Sequence, residues 1–474
     1  MKKKLLPSNL FNRTVSKAVM MLLLITQSAF TVEAATNESI KLATPVLKVT
    51  GGKISGCSGE DSHVLIYKGI PYAAAPIGDL RWKRPQPVKA WQGTRLCNTF
   101  SAMAFQRERD MKSFYGKEFH DPQSEPQRSE DCLYLNVWTP RSAAGNTKAK
   151  LPVVMWIHGG AYMSGFGFEK EMDGEAWAKR GVILVTINYR LNVFGFLAHP
   201  ALSAENEEGL SGNYGLYDQI AALKWIVSNI AQFGGDPKNI TVAGQSAGAG
   251  SVKNLVTSPL CKGLISKAII QSGGGLGEFI STEANKDKLE ALGMQMMDQL
   301  QAHTAKEMRA LSAEKVLGAL MPFMRQAKAG LFTAPYIDGV ALTEDFTSAV
   351  KDNSIADIPY LIGSNANDIM PMDKAITDFA AARDSLSKRP VYVYHFDRAL
   401  PGDTAGAFHS AEMWYTFHTL KRSWRPFTQA DYELSDRMVT YWTNFIKYGS
   451  PDGDQTWKPC TRKNPYIEVL QIKK

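Results

Sequence analysis

From about residue 130 onward, short apolar runs of strand-forming residues alternate with longer stretches of helical periodicity, and nothing else in the chain limits its fold as much. The runs lie at 134–138, 153–157, 182–187, 240–243, 268–271, 360–362 and 391–396. Several are continuously apolar rather than alternating, as expected for strands covered on both faces. Between them stand helical patterns such as 217–233, where Ile220, Leu223, Ile226, Val227 and Ile230 recur at helical spacing. Strands separated by helices predict an α/β fold: a mostly parallel central sheet with helices on both faces. The first hundred residues carry short strands and loops rich in Pro and Gly, and read as an antiparallel edge. No Gly/Ser or Pro-rich linker, internal repeat or low-complexity tract divides the chain, so one large domain is expected for residues 35–474.

The N-terminus reads as a separate element. Basic residues run from Lys2 to Lys17, an apolar stretch follows from Ala18 to Ile25, and Val32-Glu33-Ala34 puts small residues at the −3 and −1 positions. That is the layout of a secretory signal peptide over 1–34, and it predicts a secreted or periplasmic protein beginning at Ala35. The apolar run is too short for a membrane span. Removing 1–34 takes away five basic residues and one acid, lowering the formal charge from +8 to about +4. With no Lys/Arg stripe interleaved with aromatics, a nucleic-acid partner is not expected. Five cysteines form no CxxC pair, and eight histidines form no HExxH or other ligand spacing, so neither a metal nor a cofactor is expected.

The chemistry-bearing motif is Gly244-Gln245-Ser246-Ala247-Gly248, set between the apolar run 240–243 and a segment able to open a helix. A strand-to-helix turn this sharp strains the serine backbone, which calls for small neighbours at Gly244 and Gly248. It lifts the hydroxyl into a cleft beside the N–H of Ala247. Upstream, the run 153–157 leads into His158-Gly159-Gly160-Ala161-Tyr162, where consecutive glycines let N–H groups converge on one point. Donors of that kind stabilise the oxyanion of a tetrahedral intermediate by about 3–4 kcal/mol each.

Longer runs surround these two motifs. Phe233-Gly234-Gly235-Asp236-Pro237 leading into Gly244–Gly248 resembles the active-site signature of the type-B carboxylesterases, the family that includes the cholinesterases. Glu130-Asp131-Cys132-Leu133-Tyr134-Leu135-Asn136-Val137 is similar to its second signature. Gly69-Ile70-Pro71-Tyr72-Ala73, Asn188-Tyr189-Arg190, Gly212–Gln219 and Tyr441–Phe445 match further habitual runs, so the resemblance covers nearly all of the mature chain. It implies an α/β-hydrolase fold and a serine esterase working through an acyl-enzyme, with backbone N–H groups of Gly160, Ala161 and Ala247 as the oxyanion hole.

A serine needs a base, and His409 stands where the family places its catalytic histidine. Ser410 follows it where relatives often have Gly. His395 reads as a packed strand residue, His158 as shaping the glycine loop, and His63, His120, His199, His303 and His418 as surface or core residues. The order Ser…acid…His of α/β-hydrolases and the family's Gly-x-Asn-x-Asp-Glu-Gly type of run, whose acid is usually the Glu, place the acid at Asp368, in Gly363-Ser364-Asn365-Ala366-Asn367-Asp368-Ile369, with a side chain one methylene shorter. Asp373 and Asp338 are the alternatives, Asp338 reading as a turn residue.

Two departures from the family bear on substrate. Gln245 replaces a common Glu, removing a negative charge beside the nucleophile and with it any preference for choline-like esters. Only 40 residues separate Asp368 from His409, fewer than in relatives, which implies a more open cleft able to take neutral, bulky or polymer-linked small-molecule esters. The resemblance also implies structural ion pairs Arg81–Glu130 and Arg190–Asp218, and a disulfide from Cys132 to Cys97 or Cys57. The competing readings are a non-catalytic cholinesterase-like recognition domain, disfavoured by the retained Ser, His and acid, and a lipase, disfavoured by the lack of a long amphipathic lid.

Overall fold

The computed structural model describes residues 44–277, 285–387, 389–453 and 455–472. The segment read as a leader, 1–34, lies outside them, and residues from Val46 onward belong to one compact unit. Within that unit the strands of the main sheet are β1 (Cys57–Ser58), β2 (Val64–Pro71), β3 (Tyr134–Pro140), β4 (Leu151–Ile157), β5 (Ile183–Ile187), β6 (Gly235–Gln245), β7 (Lys267–Gln271), β8 (Tyr360–Asn365), β9 (Val391–Phe396) and β10 (Glu468–Leu470). All seven expected strands are among them. Their spatial order is β10-β9-β8-β7-β6-β4-β5-β3-β2-β1. From β10 to β5 every neighbouring pair is parallel. β5–β3, β3–β2 and β2–β1 are antiparallel, the edge expected of the first hundred residues.

Successive residues of the central strands feed opposite faces, as strand geometry requires. In β4, Val153, Met155 and Ile157 enter one core, while Val154 and Trp156 enter the other. Helices α1 (Tyr214–Asn229), α2 (Ala247–Thr257) and α3 (Asp373–Leu386) cover the first face through Leu216, Ile220, Leu223, Val252, Leu255, Ile376 and Phe379. The second face is covered by α4 (Gln429–Tyr448) through Leu434, Met438, Trp442 and Phe445. Each such side chain taken out of water contributes about 1.5–3 kcal/mol, which is why these strands read as unbroken apolar runs. The helix expected over 217–233 begins three residues earlier and ends in a 3₁₀ turn, Ile230–Phe233, where Gly234 at φ 86° releases the chain into β6.

This topology also decides where a site can form. From β4 the chain moves to β5 on one side, and from β6 to β7 on the other, so the strand order reverses between β4 and β6. Ligand crevices in open parallel sheets lie beyond the carboxyl ends of strands at such a reversal. The glycine loop follows β4 there, and Ser246 follows β6.

One expectation is corrected. All five cysteines are free thiols, so neither Cys97 nor Cys57 bridges Cys132. Cys97 and Cys132 instead pack in the apolar core as small hydrophobes. Burial pushes the Cys97 thiol up to about 11.

Candidate active site

Ser246 joins β6 directly to α2 and sits at φ 57°, ψ −125°. A non-glycine residue held there stores about 1–3 kcal/mol of strain, and its surroundings leave no alternative. The Ser246 N–H donates to the Gln271 carbonyl at 2.9 Å, and its carbonyl accepts from the Gly250 N–H at 3.0 Å. A Cβ on Gly248 would lie 2.1 Å from the Ile157 carbonyl oxygen, and one on Gly244 would lie 2.5 Å from the Gly248 backbone. Both glycines are therefore required by the crossing of α2 over the end of β4. Ala247, as the first residue of α2, has no acceptor for its N–H in a preceding turn.

The glycine loop is held from outside. Gly160, Ala161 and Tyr162 have φ of 100°, 55° and 59°. Tyr162 is fixed by the Asn192 N–H, which donates to its carbonyl at 2.7 Å. Gln106 clasps Gly165, giving its amide to the Gly165 carbonyl and taking the Gly165 N–H. His158 is fully buried, lies 2.9 Å through Nδ1 from the Gly159 carbonyl and stacks on Tyr189. Burial keeps it neutral, its pKa lowered to about 4, so it shapes the loop as expected.

The residues expected as base and acid follow β9 and β8. His409 Nδ1 stands 2.5 Å from Asp368 Oδ1. Asp368 also accepts from the N–H groups of Asn365 at 3.1 Å and Ile369 at 2.9 Å. Burial alone would raise this carboxyl, but the hydrogen bond and charge of His409 outweigh it and hold Asp368 below the usual aspartate range. With Nδ1 turned to Asp368, Nε2 is the ring nitrogen left for a second partner. Gln245 Nε2 lies 3.3 Å from it. The alternatives fall elsewhere: Asp373 contacts Ser364 and His395, and Asp338 accepts three successive backbone N–H groups in a turn. Ser410 has φ 77°, which explains why glycine suits the position after the histidine.

Several residues that hold this pair carry no sequence signal of their own. Asn367 takes the Ala407 N–H on its side-chain oxygen, and its own N–H donates to the Ala407 carbonyl, tying the acid loop to the base loop. Asn365 Nδ2 donates to the Phe408 carbonyl at 2.7 Å and to Glu412 Oε2 at 2.5 Å. Glu412 is wholly buried and also accepts from Gln271 Nε2, whose oxygen accepts from Trp442 Nε1 at 2.9 Å. Burial, with the neighbouring Asp368 charge, raises the Glu412 carboxyl. The ion pairs Arg81–Glu130 and Arg190–Asp218 are both formed and away from these groups.

Ser246, Gln245, His409, Gly159, Gly160 and Ala161 line a single cavity of about 470 Å³. Tyr115, Phe119, Met163, Met172, Ile369 and Met413 supply much of its apolar surface. Arg109, His120, Glu169 and Glu171 line it too, and the sequence motifs do not point to any of these four. Among the described residues, no group of His, Cys, Asp and Glu side chains is arranged to hold a metal ion, and no helix is long and apolar enough to cross a membrane.

Comparison with known proteins finds one matching family and several relatives. The model of the "Carboxylesterase family" matches residues 43–386 and 374–474. The fumonisin B1 esterase of Sphingopyxis macrogoltabida is 37% identical over 75% of this chain and 61% of its own. The para-nitrobenzyl esterase of Bacillus subtilis is 38% identical over 67% of this chain and 61% of its own. The chain thus spans about three-fifths of the length of these two relatives. Human cocaine esterase is 28% identical over 90% of this chain and 88% of its own. Among solved structures, a thermophilic pNB esterase superposes with a TM-score of 0.79 at 29% identity, over 91% of this chain and 97% of that one.

Proposed function

The chain belongs to the carboxylesterase family and has its α/β-hydrolase fold, and from that premise we propose that it hydrolyses carboxylic esters through an acyl-enzyme formed on Ser246. The observation that carries this reading is the shared cavity of a strained, elbow-mounted serine and a histidine anchored 2.5 Å from a buried carboxylate. The Ser246 hydroxyl gives its proton to His409 Nε2 as its oxygen bonds to the ester carbonyl carbon. The carbonyl oxygen becomes an oxyanion held by the N–H groups of Gly160, Ala161 and Ala247. His409 returns the proton to the departing alcohol, and Asp368 stabilises the imidazolium between the two steps. Water, deprotonated by the same nitrogen, then releases the acid and frees Ser246. No step calls for a cofactor.

The three relatives are named for three different esters, so what they share is the bond cleaved, not the molecule around it. For this chain the uncharged Gln245 beside His409 supports neutral esters over choline esters. The exposure of Ile369 (60%) and Met370 (47%) next to the acid supports a cleft open to bulky or polymer-linked esters. The leader-like 1–34 supports export. Hydrolysis of a nitrophenyl butyrate, abolished in Ser246→Ala and blocked by an organophosphate that labels Ser246 in a mass spectrum, tests the assignment. Unlabelled Ser246 in active protein would overturn it. A choline ester cleaved much faster than its neutral isostere would overturn the substrate reading.

A further inference from the structure

The catalytic cavity has one buried polar group for which the chemistry at Ser246 has no use. Glu171 lines that cavity and is 4% exposed. Its Oε2 is shut off from solvent and meets no hydrogen-bond partner among the described residues. A buried carboxyl left in that state is destabilising, and native proteins seldom retain one without a reason. Its neighbours relieve it only in part: burial and Glu169 outweigh the pull of its own backbone N–H and of the Arg109 charge. Arg109, the cation of this wall, is engaged by Glu169 at 2.8 Å and Glu125 at 3.4 Å, and its Nη1 lies 2.7 Å from His120 Nδ1. No ion pair joins Arg109 to Glu171 among the described residues. The backbone of Glu171 is meanwhile pinned, its carbonyl accepting from Thr419 Oγ1 at 2.7 Å. The residue is therefore held in this wall by its backbone.

Resting on the esterase reading above, we propose that Glu171 is a specificity residue, selecting esters that carry a hydrogen-bond donor, a hydroxyl or an ammonium, on the part that reaches this wall. The argument holds in either protonation state. An ionised carboxylate accepts through both oxygens, and a protonated one still has lone pairs to offer while adding an O–H of its own. Burial and the adjacent Glu169 push the Glu171 carboxyl well above its ordinary range, which favours a hydroxyl partner. An ammonium would draw the proton off and form an ion pair with Glu171, the carboxylate of this wall that Arg109 does not pair with. An apolar chain does neither, and leaves the carboxyl as unpartnered as before. Sites built to pair with a polar substrate group reject the analogue that lacks it for this reason.

The test compares three butyrate esters of equal reach, with pentyl, terminal hydroxybutyl and terminal ammoniobutyl alcohols, on the full chain. The better donor ester is expected to exceed pentyl butyrate roughly tenfold in kcat/KM. That ratio should fall to about one in Glu171→Leu and to an intermediate value in Glu171→Gln, whose amide oxygen still accepts. Circular dichroism and the unfolding temperature verify that each variant is folded. The same three esters are titrated against Ser246→Ala and Ser246→Ala/Glu171→Leu by ligand-observed NMR, which reads the dissociation-constant ratio without turnover. A wild-type ratio near one for both donor esters, or a ratio that survives Glu171→Leu, overturns the proposal. Absence of all turnover, with the binding ratio intact in Ser246→Ala, overturns the esterase reading and leaves the subsite standing. Whether hydroxyl or ammonium gives the larger ratio identifies the donor, and either result supports the subsite.

Discussion

The two halves of the proposed catalytic apparatus are built on different physics. At the ends of β4 and β6, the glycine loop and Ser246 are fixed by backbone sterics: positive φ at 160, 161, 162 and 246, and glycines with no room for a Cβ. At the ends of β8 and β9, Asp368 and His409 are fixed by side-chain hydrogen bonds among residues far apart in sequence, through Asn365, Asn367 and Glu412. The first half fails when volume is added. The second fails when a polar partner is removed, and it fails by degrees.

The largest losses are expected on the steric side. Ser246→Ala should reduce kcat by at least about ten-thousand-fold while leaving the unfolding temperature near wild type, because the backbone strain is unchanged. Gly248→Ala should do more, since its methyl would lie 2.1 Å from the Ile157 carbonyl. Loss of soluble protein, or destabilisation of more than about 3 kcal/mol by denaturant titration, is the expected result. Soluble Gly248→Ala protein with wild-type stability would show that the elbow has slack, and would remove the contrast between the halves.

On the polar side, Asp368→Asn keeps the shape and removes the charge. A fall in kcat approaching ten-thousand-fold is expected, because the amide favours the wrong imidazole tautomer. Asp368 also links stability to pH. Its folded carboxyl is lowered, so the stability it contributes is full above the unfolded aspartate value of about 3.9 and is lost as pH falls through the lower folded value. Acid unfolding midpoints for wild type and Asp368→Asn should therefore converge at low pH, and parallel curves would show that the carboxyl is not tuned by His409.

Glu412 separates the two kinds of failure within one residue. Its carboxyl accepts from Asn365 and Gln271 while fully buried. Glu412→Ala takes the acceptor from Gln271 Nε2 and leaves Asn365 Nδ2 with the Phe408 carbonyl alone, at about 1–3 kcal/mol for each N–H left without a partner, and loosens the loop carrying His409. A tenfold to hundredfold drop in kcat with a lower unfolding temperature is expected. Glu412→Gln keeps an acceptor oxygen and should lose far less in both measurements. Equal losses in the two variants would mean that charge, not hydrogen bonding, holds the loop.

This division also explains what could be read from the sequence. Ser246, Gly160, Ala161 and Ala247 announce themselves because sterics demand particular residues at adjacent positions, and such demands survive in a linear string. The strands of the sheet were legible for the same reason, since strands buried on both faces must be apolar throughout. His409 and Asp368 could be placed only through family resemblance. Asn365 belongs to the family's run but nothing in the run shows its partners, and nothing local marks Glu412; the partners of both lie more than forty residues away. Arg109, His120, Glu169 and Glu171 were invisible because the loops bearing them meet only in the folded cavity. His120 in particular reads as an unremarkable surface or core histidine, yet burial beside Arg109 lowers it to about 3 and leaves it neutral in the cavity wall. The cysteines misled in the opposite direction, because a likeness in spacing carries no information about whether two thiols face each other.

Gln245 lies on the boundary between the halves, with its backbone in the elbow strand and its amide 3.3 Å from His409 Nε2. Gln245→Glu should sharpen the comparison with a modest effect that is electrostatic alone. A carboxylate at that distance stabilises a positively charged ring relative to a neutral one. The acid limb of the kcat/KM profile should move up by about one unit, with activity on the alkaline plateau changed much less than near pH 6. Salt should shrink the displacement little, since the pair is buried and weakly screened. An acid limb that stays in place would mean that the amide does not sense the base, and that the polar half ends at Asp368.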